Sequence, residues 1–173
     1  HFTRNNLGVR ISWKGSLPVN MIIHKSVPEK YDSEIISAAH RWNSALGKIL
    51  INVARDNSFG EGPGNDRKNI IYWSTDWDAS NSKEQARTIS NTDLSRIIDS
   101  DIKINAKNFS YALTTQTLGS SAVNLESLLL HEMGHVLGLQ HFEGSGIMST
   151  HLASGKLRFD FSSEELSELS CEY

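Results

Sequence analysis

The stretch that decides the reading is His131-Glu132-Met133-Gly134-His135-Val136-Leu137-Gly138-Leu139-Gln140-His141. His131 and His135 are four residues apart, so on a helix they share one face about a turn apart and both imidazoles can reach a single ion. Were the helix to run on, His141 would sit ~15 Å further along the axis than His131, whereas a zinc–nitrogen bond is about 2.0–2.1 Å long. The helix must therefore break. Gly138, midway between His135 and His141, can take the left-handed conformation that turns the chain back at no side-chain cost. His141 then supplies a third ligand. Five fixed positions of this kind match a chain of this length by chance only about once in 10⁴ sequences, which sets the stretch apart from a bare pair of histidines.

Three neutral imidazoles leave a fourth position for water, the mark of a catalytic rather than a structural zinc site. Glu132 lies next to His131 but about 100° further round the helix, so its carboxylate can flank the metal and accept a proton from the zinc-bound water. Zinc also polarises a carbonyl and holds the oxyanion that forms from it, after which Glu132 can pass its proton to a leaving amine. The expected reaction class is amide hydrolysis. The competing readings are a helix of ordinary core or solvated histidines, a bound zinc without catalysis, a zinc amidase acting on a non-protein amide, and a binding module that uses the cleft to hold a partner. The agreement of all five positions stands against the first, and the intact Glu132 against the last, because a pure binder has no need of a general base.

Outward from this stretch, Asn124 can cap a helix whose apolar positions Leu125, Leu128, Leu129, Val136 and Leu137 form one face, with Gly138 as its terminator. Ile35, Ala38, Ala39, Trp42, Ala45 and Leu46 recur at helical steps, predicting a helix over 32–46 that stops at Gly47. Ser162 with Glu165 forms a capping box ahead of Leu166 and Leu169, so the chain closes on a short helix over 162–171. Strands are expected at 7–13, 19–24, 49–54, 69–74, 86–91 and 97–105, giving a sheet of about five strands, with loops at 56–68 and 75–84.

Leu, Ile, Val and Phe make up about a quarter of the 173 residues, enough for one domain with a real core. A net charge of −3 without a basic block argues against nucleic acid as a partner. The longest aliphatic run, Leu128-Leu129-Leu130, is far short of the ~20 residues of a membrane span. The lone Cys171 cannot form an intrachain disulfide. The chain opens on His1 without a basic-then-apolar leader, as expected of a processed or excised segment. Nothing in the sequence points beyond a monomer. Asp76, Asp78 and Asn81, or Asp56, Asn57 and Asp66, could offer oxygen ligands to a structural calcium, although neither spacing matches an EF-hand. His151 could line a substrate pocket, and His1, His24 and His40 receive no role.

Residues 131–141 resemble the H-E-x-x-H-x-x-G-x-x-H zinc motif of the metzincin metallopeptidases. Gly146-Ile147-Met148-Ser149 is similar to their Met-turn, which implies a Met148 thioether packed beneath the zinc. The order of helices and strands is similar to that of the matrixins among them. The resemblance implies a zincin-like α/β (α+β) fold: a twisted mixed sheet with two long helices and a small C-terminal subdomain ending in a helix. One domain would span 1–173, divided into an N-terminal subdomain 1–138 and a C-terminal subdomain 139–173. It further implies a secreted zinc endopeptidase with His131, His135 and His141 on the metal and Glu132 as base. A peptide would bind extended and antiparallel to an edge strand at Ala86 to Asn91. The pocket beside the zinc would be walled by Ser149 to Asp160 and would take an apolar residue. Matrixins usually carry Ser after the third histidine, where this chain has Phe142, and astacins and serralysins carry Tyr where it has Thr150. The second, structural zinc of many matrixins has no histidine to hold it, since none lies between His40 and His131.

Overall fold

The periodicity of the first half builds a β-α-β unit. β1 (Val19–His24) pairs in parallel with β2 (Ile51–Asp56), in register from Val19↔Ile51 to His24↔Asp56. Parallel neighbours need a crossover, and α1 (Asp32–Leu46) provides it, burying Ile35, Ala38, Ala39 and Trp42. Asn43 ties the end of this helix to the start of β2: its Oδ1 accepts from the amides of Leu50 (2.8 Å) and Ile51 (3.1 Å), and its Nδ2 donates to the Ile51 carbonyl at 2.8 Å. The structure is a computed structural model and describes residues 1–58, 60, 62–115, 121–150 and 152–173.

β3 (Asn69–Ser74) adds in parallel to the other side of β1, and β5 (Arg96–Asn105) adds in parallel to β3. β4 (Ala86–Asp93) turns back against β5 as the one antiparallel strand of this sheet, whose order is β2-β1-β3-β5-β4. The five-stranded mixed sheet over helices is the α+β architecture expected from the sequence, and β4 stands at its edge. A small parallel pair, β6 (Ser110–Ala112) with β7 (Ala122–Asn124), leads into the second long helix. Three residues carry too little alternation for such strands to be read in advance.

α2 (Leu125–Val136) starts where expected, with the Asn124 side chain accepting from the Ser127 amide at 2.8 Å. It is not one-faced. Nearly every residue from Leu125 to Val136 is buried, because α1 packs on one side, β4 on another, and the segment after residue 146 on a third. Trp42 Nε1 donates to the Leu130 carbonyl at 2.8 Å across the α1–α2 contact. Its last carbonyls, those a helix leaves without a partner, are taken by Trp13 Nε1 on Val136 O and by the Tyr173 hydroxyl on Leu137 O, both at 2.8 Å. α3 (Ser163–Glu172) closes the chain on the expected Ser162/Glu165 capping box.

Residues 7–13 form no strand, contrary to the alternation read there. Their contacts are single bridges, Arg4↔Arg10 and Ser12↔Arg96, and Trp13 turns its indole to α2. Residues 9–11 pair back on 3–5, with Val9 O accepting from Asn5 N at 2.9 Å and Ile11 N donating to Thr3 O at 2.7 Å, and Ser12 passes to residues 95–97, so the partner changes before a strand can run the length of 7–13. β2 also begins two residues later than its predicted start, since Ile49 is exposed and only Leu50 enters the core.

The loop between β2 and β3 is anchored by two buried carboxylates of β5 on the face opposite Ile102 and Ile104. Asp101 accepts from the amides of Gly64 (2.9 Å) and Ile70 (2.8 Å), and Asp99 accepts from the Asp66 amide at 3.3 Å and from Asn91 Nδ2 at 3.1 Å. Desolvation pushes the Asp101 carboxyl up to about 6, against the pull of its two amide donors. A folded-state value above the unfolded one means that the folded protein binds the extra proton, so this stabilisation is present at low pH and is lost as pH rises from about 4 through about 6. Asp101→Asn does not titrate. Its urea-unfolding free energy relative to the wild type should therefore move in the mutant's favour by about 1–2 kcal/mol between acid and neutral pH; a pH-independent difference between the two proteins counts against this coupling.

Candidate active site

α2 delivers His131 and His135 from successive turns, and the chain leaves the helix at Gly138 with φ +96°. Glycine is required there sterically as well as by its conformation: a Cβ at 138 would lie 2.6 Å from Phe2 Cε1 and 2.7 Å from the Ile11 carbonyl. The Leu139 amide bonds back to Gly134 O at 3.0 Å, and the reversed chain brings His141 beside the other two histidines. The Nε2 atoms of His131, His135 and His141 form a triangle with all three sides at 3.1 Å.

The hydrogen bonds of the rings decide what these nitrogens are. His131 Nδ1 lies 2.7 Å from the Ile147 carbonyl and His135 Nδ1 lies 2.8 Å from the Leu139 carbonyl. A carbonyl only accepts, so Nδ1 carries the proton in both rings and Nε2 presents a bare lone pair. Burial, the largest cause in each case, lowers all three histidine pKa values, that of His131 to about 3, so the rings are neutral at pH 7. Lone pairs converging at this distance repel unless a cation lies among them. The convergence of the three Nε2 atoms and their neutral imidazole character suit zinc, which His131, His135 and His141 would hold. Among the described residues this is the one cluster of three or more His, Cys, Asp or Glu side chains that could hold a metal. Asp78 caps a 3₁₀ turn by accepting from the Ser80 amide at 3.0 Å. In the earlier loop Asp56 and Asp66 accept from the amides of Ser58 and Lys68, both at 2.9 Å.

Glu132 is buried beside the triad, and its Oε2 accepts a 2.6 Å hydrogen bond from the Thr88 hydroxyl of β4. Burial pushes its carboxyl up to about 7, with the Thr88 bond opposing. A cleft of about 810 Å³ runs over these groups. Ala86, Thr88 and Ser90 of the edge strand line one wall, and Ser149, Leu152 and Arg158 line the other. The second wall falls within the segment 149–160 expected from the sequence. Its content of small residues gave no hint of Arg158, whose guanidinium donates to Ile147 O (3.2 Å) and Ser149 O (2.6 Å) and so braces the turn that orients His131. Thr88 carried no sequence signal beyond strand alternation. His151 lies outside the described residues.

Met148 is fully buried, with its Sδ against α2 at Gly134. Its amide donates to Glu165 Oε1 at 2.6 Å, so the capping glutamate of α3 also holds this turn. Phe142, in the place where serine was expected, is buried, stacks on His1 at 5.8 Å and donates its amide to Met148 O at 3.3 Å. A Cβ at 134 would sit 2.2 Å from Met148 Sδ and 3.2 Å from Trp42 Cζ2. Gly134→Ala therefore sets helix propensity, which favours Ala by about 1 kcal/mol, against overpacking, which costs about 1–3 kcal/mol or more in a fixed core. Packing should win, because both neighbours are themselves buried: thermal unfolding should shift down and zinc affinity should fall. An alanine variant at least as stable as the wild type, with unchanged zinc binding, is incompatible with this contact.

No individual curated protein matches the chain. The sequence model of the matrixin peptidases does match it, over residues 18–169. That span runs from just before β1 to within α3 and takes in the whole sheet, the three histidines and Met148. With the fold, the histidine triangle and the family match in agreement, the chain belongs to the matrixins.

Proposed function

We propose that this chain is a zinc-dependent endopeptidase that cuts extended peptides, with His131, His135 and His141 as the metal ligands and Glu132 as the general base. The observation that carries the reading is the triangle of neutral Nε2 atoms at 3.1 Å, with a buried carboxylate beside it on the floor of a cleft. A zinc ion in that triangle supplies Lewis acidity for the carbonyl and for the attacking water. The rest belongs to the protein. The Ile147 and Leu139 carbonyls fix the tautomers and ring planes of His131 and His135. Glu132 takes a proton from the water and returns it to the leaving nitrogen.

The edge position of β4 favours a peptide over a compact non-peptide amide. Its free edge faces the cleft, and an extended backbone can add to it as a further antiparallel strand, as the strand-addition mode of recognition requires. In this reading the turn at Gly146-Ile147-Met148-Ser149 is a Met-turn. The chain is one catalytic domain whose C-terminal subdomain, 139–173, closes the cleft from below, and the site of action is outside the cytoplasm, as is typical of matrixins.

The test is hydrolysis of a quenched peptide library by the wild type and by Glu132→Ala, with zinc content measured on both. The wild type should cleave, chelation should abolish cleavage, and the variant should keep its zinc while losing about 10²–10⁴-fold in rate. Bound zinc without cleavage by either protein would move the non-peptide amidase and binding-module readings ahead. A wild type that binds no zinc would overturn the site.

A further inference from the structure

A glutamate side chain has three rotatable bonds, so a base projecting from a helix explores many positions unless something holds its carboxylate. In this chain Thr88 holds it. Its hydroxyl lies 2.6 Å from Glu132 Oε2 and 3.2 Å from the Glu132 backbone carbonyl. A hydroxyl has one proton to donate, and the shorter contact, to a carboxylate, takes it.

Thr88 is itself well fixed. It is β-branched, with a stiff first torsion, and its backbone sits within the β4–β5 ladder opposite Ile102. It is also at the centre of the cleft wall, with Ala86 and Ser90 two residues away on the same face. The strand edge along which a peptide would align therefore carries the side chain that aligns the base.

We propose that Thr88 is a positioning residue for Glu132: its hydroxyl occupies Oε2, sets the plane of the carboxylate and leaves Oε1 for proton transfer, referencing base and scissile bond to one strand. This inference rests on the peptidase reading. It predicts a defect in turnover rather than in binding, since removing the hydroxyl takes away a contact to the base and leaves the backbone of the strand, along which a peptide would lie, unchanged.

Thr88→Val removes the hydroxyl and keeps the shape and the strand propensity. Its kcat should fall by about tenfold to a hundredfold, the scale of a misplaced catalytic group, while KM and zinc content stay within about twofold of the wild type. Thr88→Ser, which restores the hydroxyl, should recover most of kcat. A second readout needs neither zinc nor substrate: unfolding of metal-free wild type, Thr88→Val, Glu132→Ala and the double variant forms a cycle, and the two substitutions should be non-additive. An unchanged kcat in Thr88→Val, a change confined to KM, zinc loss in that variant, failure of Thr88→Ser to recover activity, or an additive cycle would each overturn the positioning role. If the wild type cleaves no peptide, the peptidase reading falls and this role falls with it, whereas a wild type that cleaves as fast as Thr88→Val sinks the positioning role alone.

Discussion

Three imidazole Nε2 atoms, each 3.1 Å from the other two, crowd one point, and the architecture is organised to hold them there. Each ring has its own restraint. His131 is tied to Ile147 O, His135 to Leu139 O, and His141 is delivered by a chain reversal that only glycine can make at position 138. The carbonyls that restrain the first two rings lie outside the regular part of α2, so the site depends on where the chain goes after the helix. That path is set in turn by Glu165, whose carboxylate accepts from Met148 N, and by Arg158, whose guanidinium donates to two carbonyls of the same turn.

The same logic of buried carboxylates accepting backbone and hydroxyl protons recurs away from the site. Asp99 and Asp101 anchor the β2–β3 loop. Glu34 accepts from the amide and hydroxyl of Thr114, whose hydroxyl also lies 2.7 Å from Glu126, itself paired with Arg41 at 2.5 Å. Removing one partner from such a set leaves a charged or polar atom unpaired in the core, which costs more than the bond contributes when made. These contacts specify the paths of loops that carry little hydrophobic pattern of their own. Glu132, held by Thr88, is a carboxylate of this kind that lines the cleft beside the three histidines.

Much of the fold was legible because its signals are local. α1 follows from the spacing of Ile35, Ala38, Ala39 and Trp42, α2 begins at the Asn124 cap, and α3 begins at the Ser162/Glu165 box. β3 was readable to its ends, because Asn69 to Ser74 is a short apolar run bounded by polar loops. The stretch 7–13 misled, since alternation reports only that successive residues face opposite ways, and here the partner changes from residues 3–5 to the β4–β5 turn and α2 before a strand can run its length. The one-faced reading of α2 failed for a related reason. The apolar positions account for one face only, yet Glu126, Ser127, His131 and Glu132 are all buried as well, against specific partners.

The sequence by itself determined the three histidines that cluster, the glycine that returns the third, and the glutamate beside them. All of these lie within eleven consecutive residues, from 131 to 141, where covalent spacing and helix geometry leave few alternatives. Only the tertiary structure decided which groups fix them. Thr88 reaches Glu132 from 44 residues away, Ile147 O reaches His131 from 16, and Met148 fills the space that makes position 134 a glycine. Those partners meet through the packing of β4 and of the C-terminal segment onto α2, and no local pattern in a chain encodes which distant side chain will face a buried carboxylate.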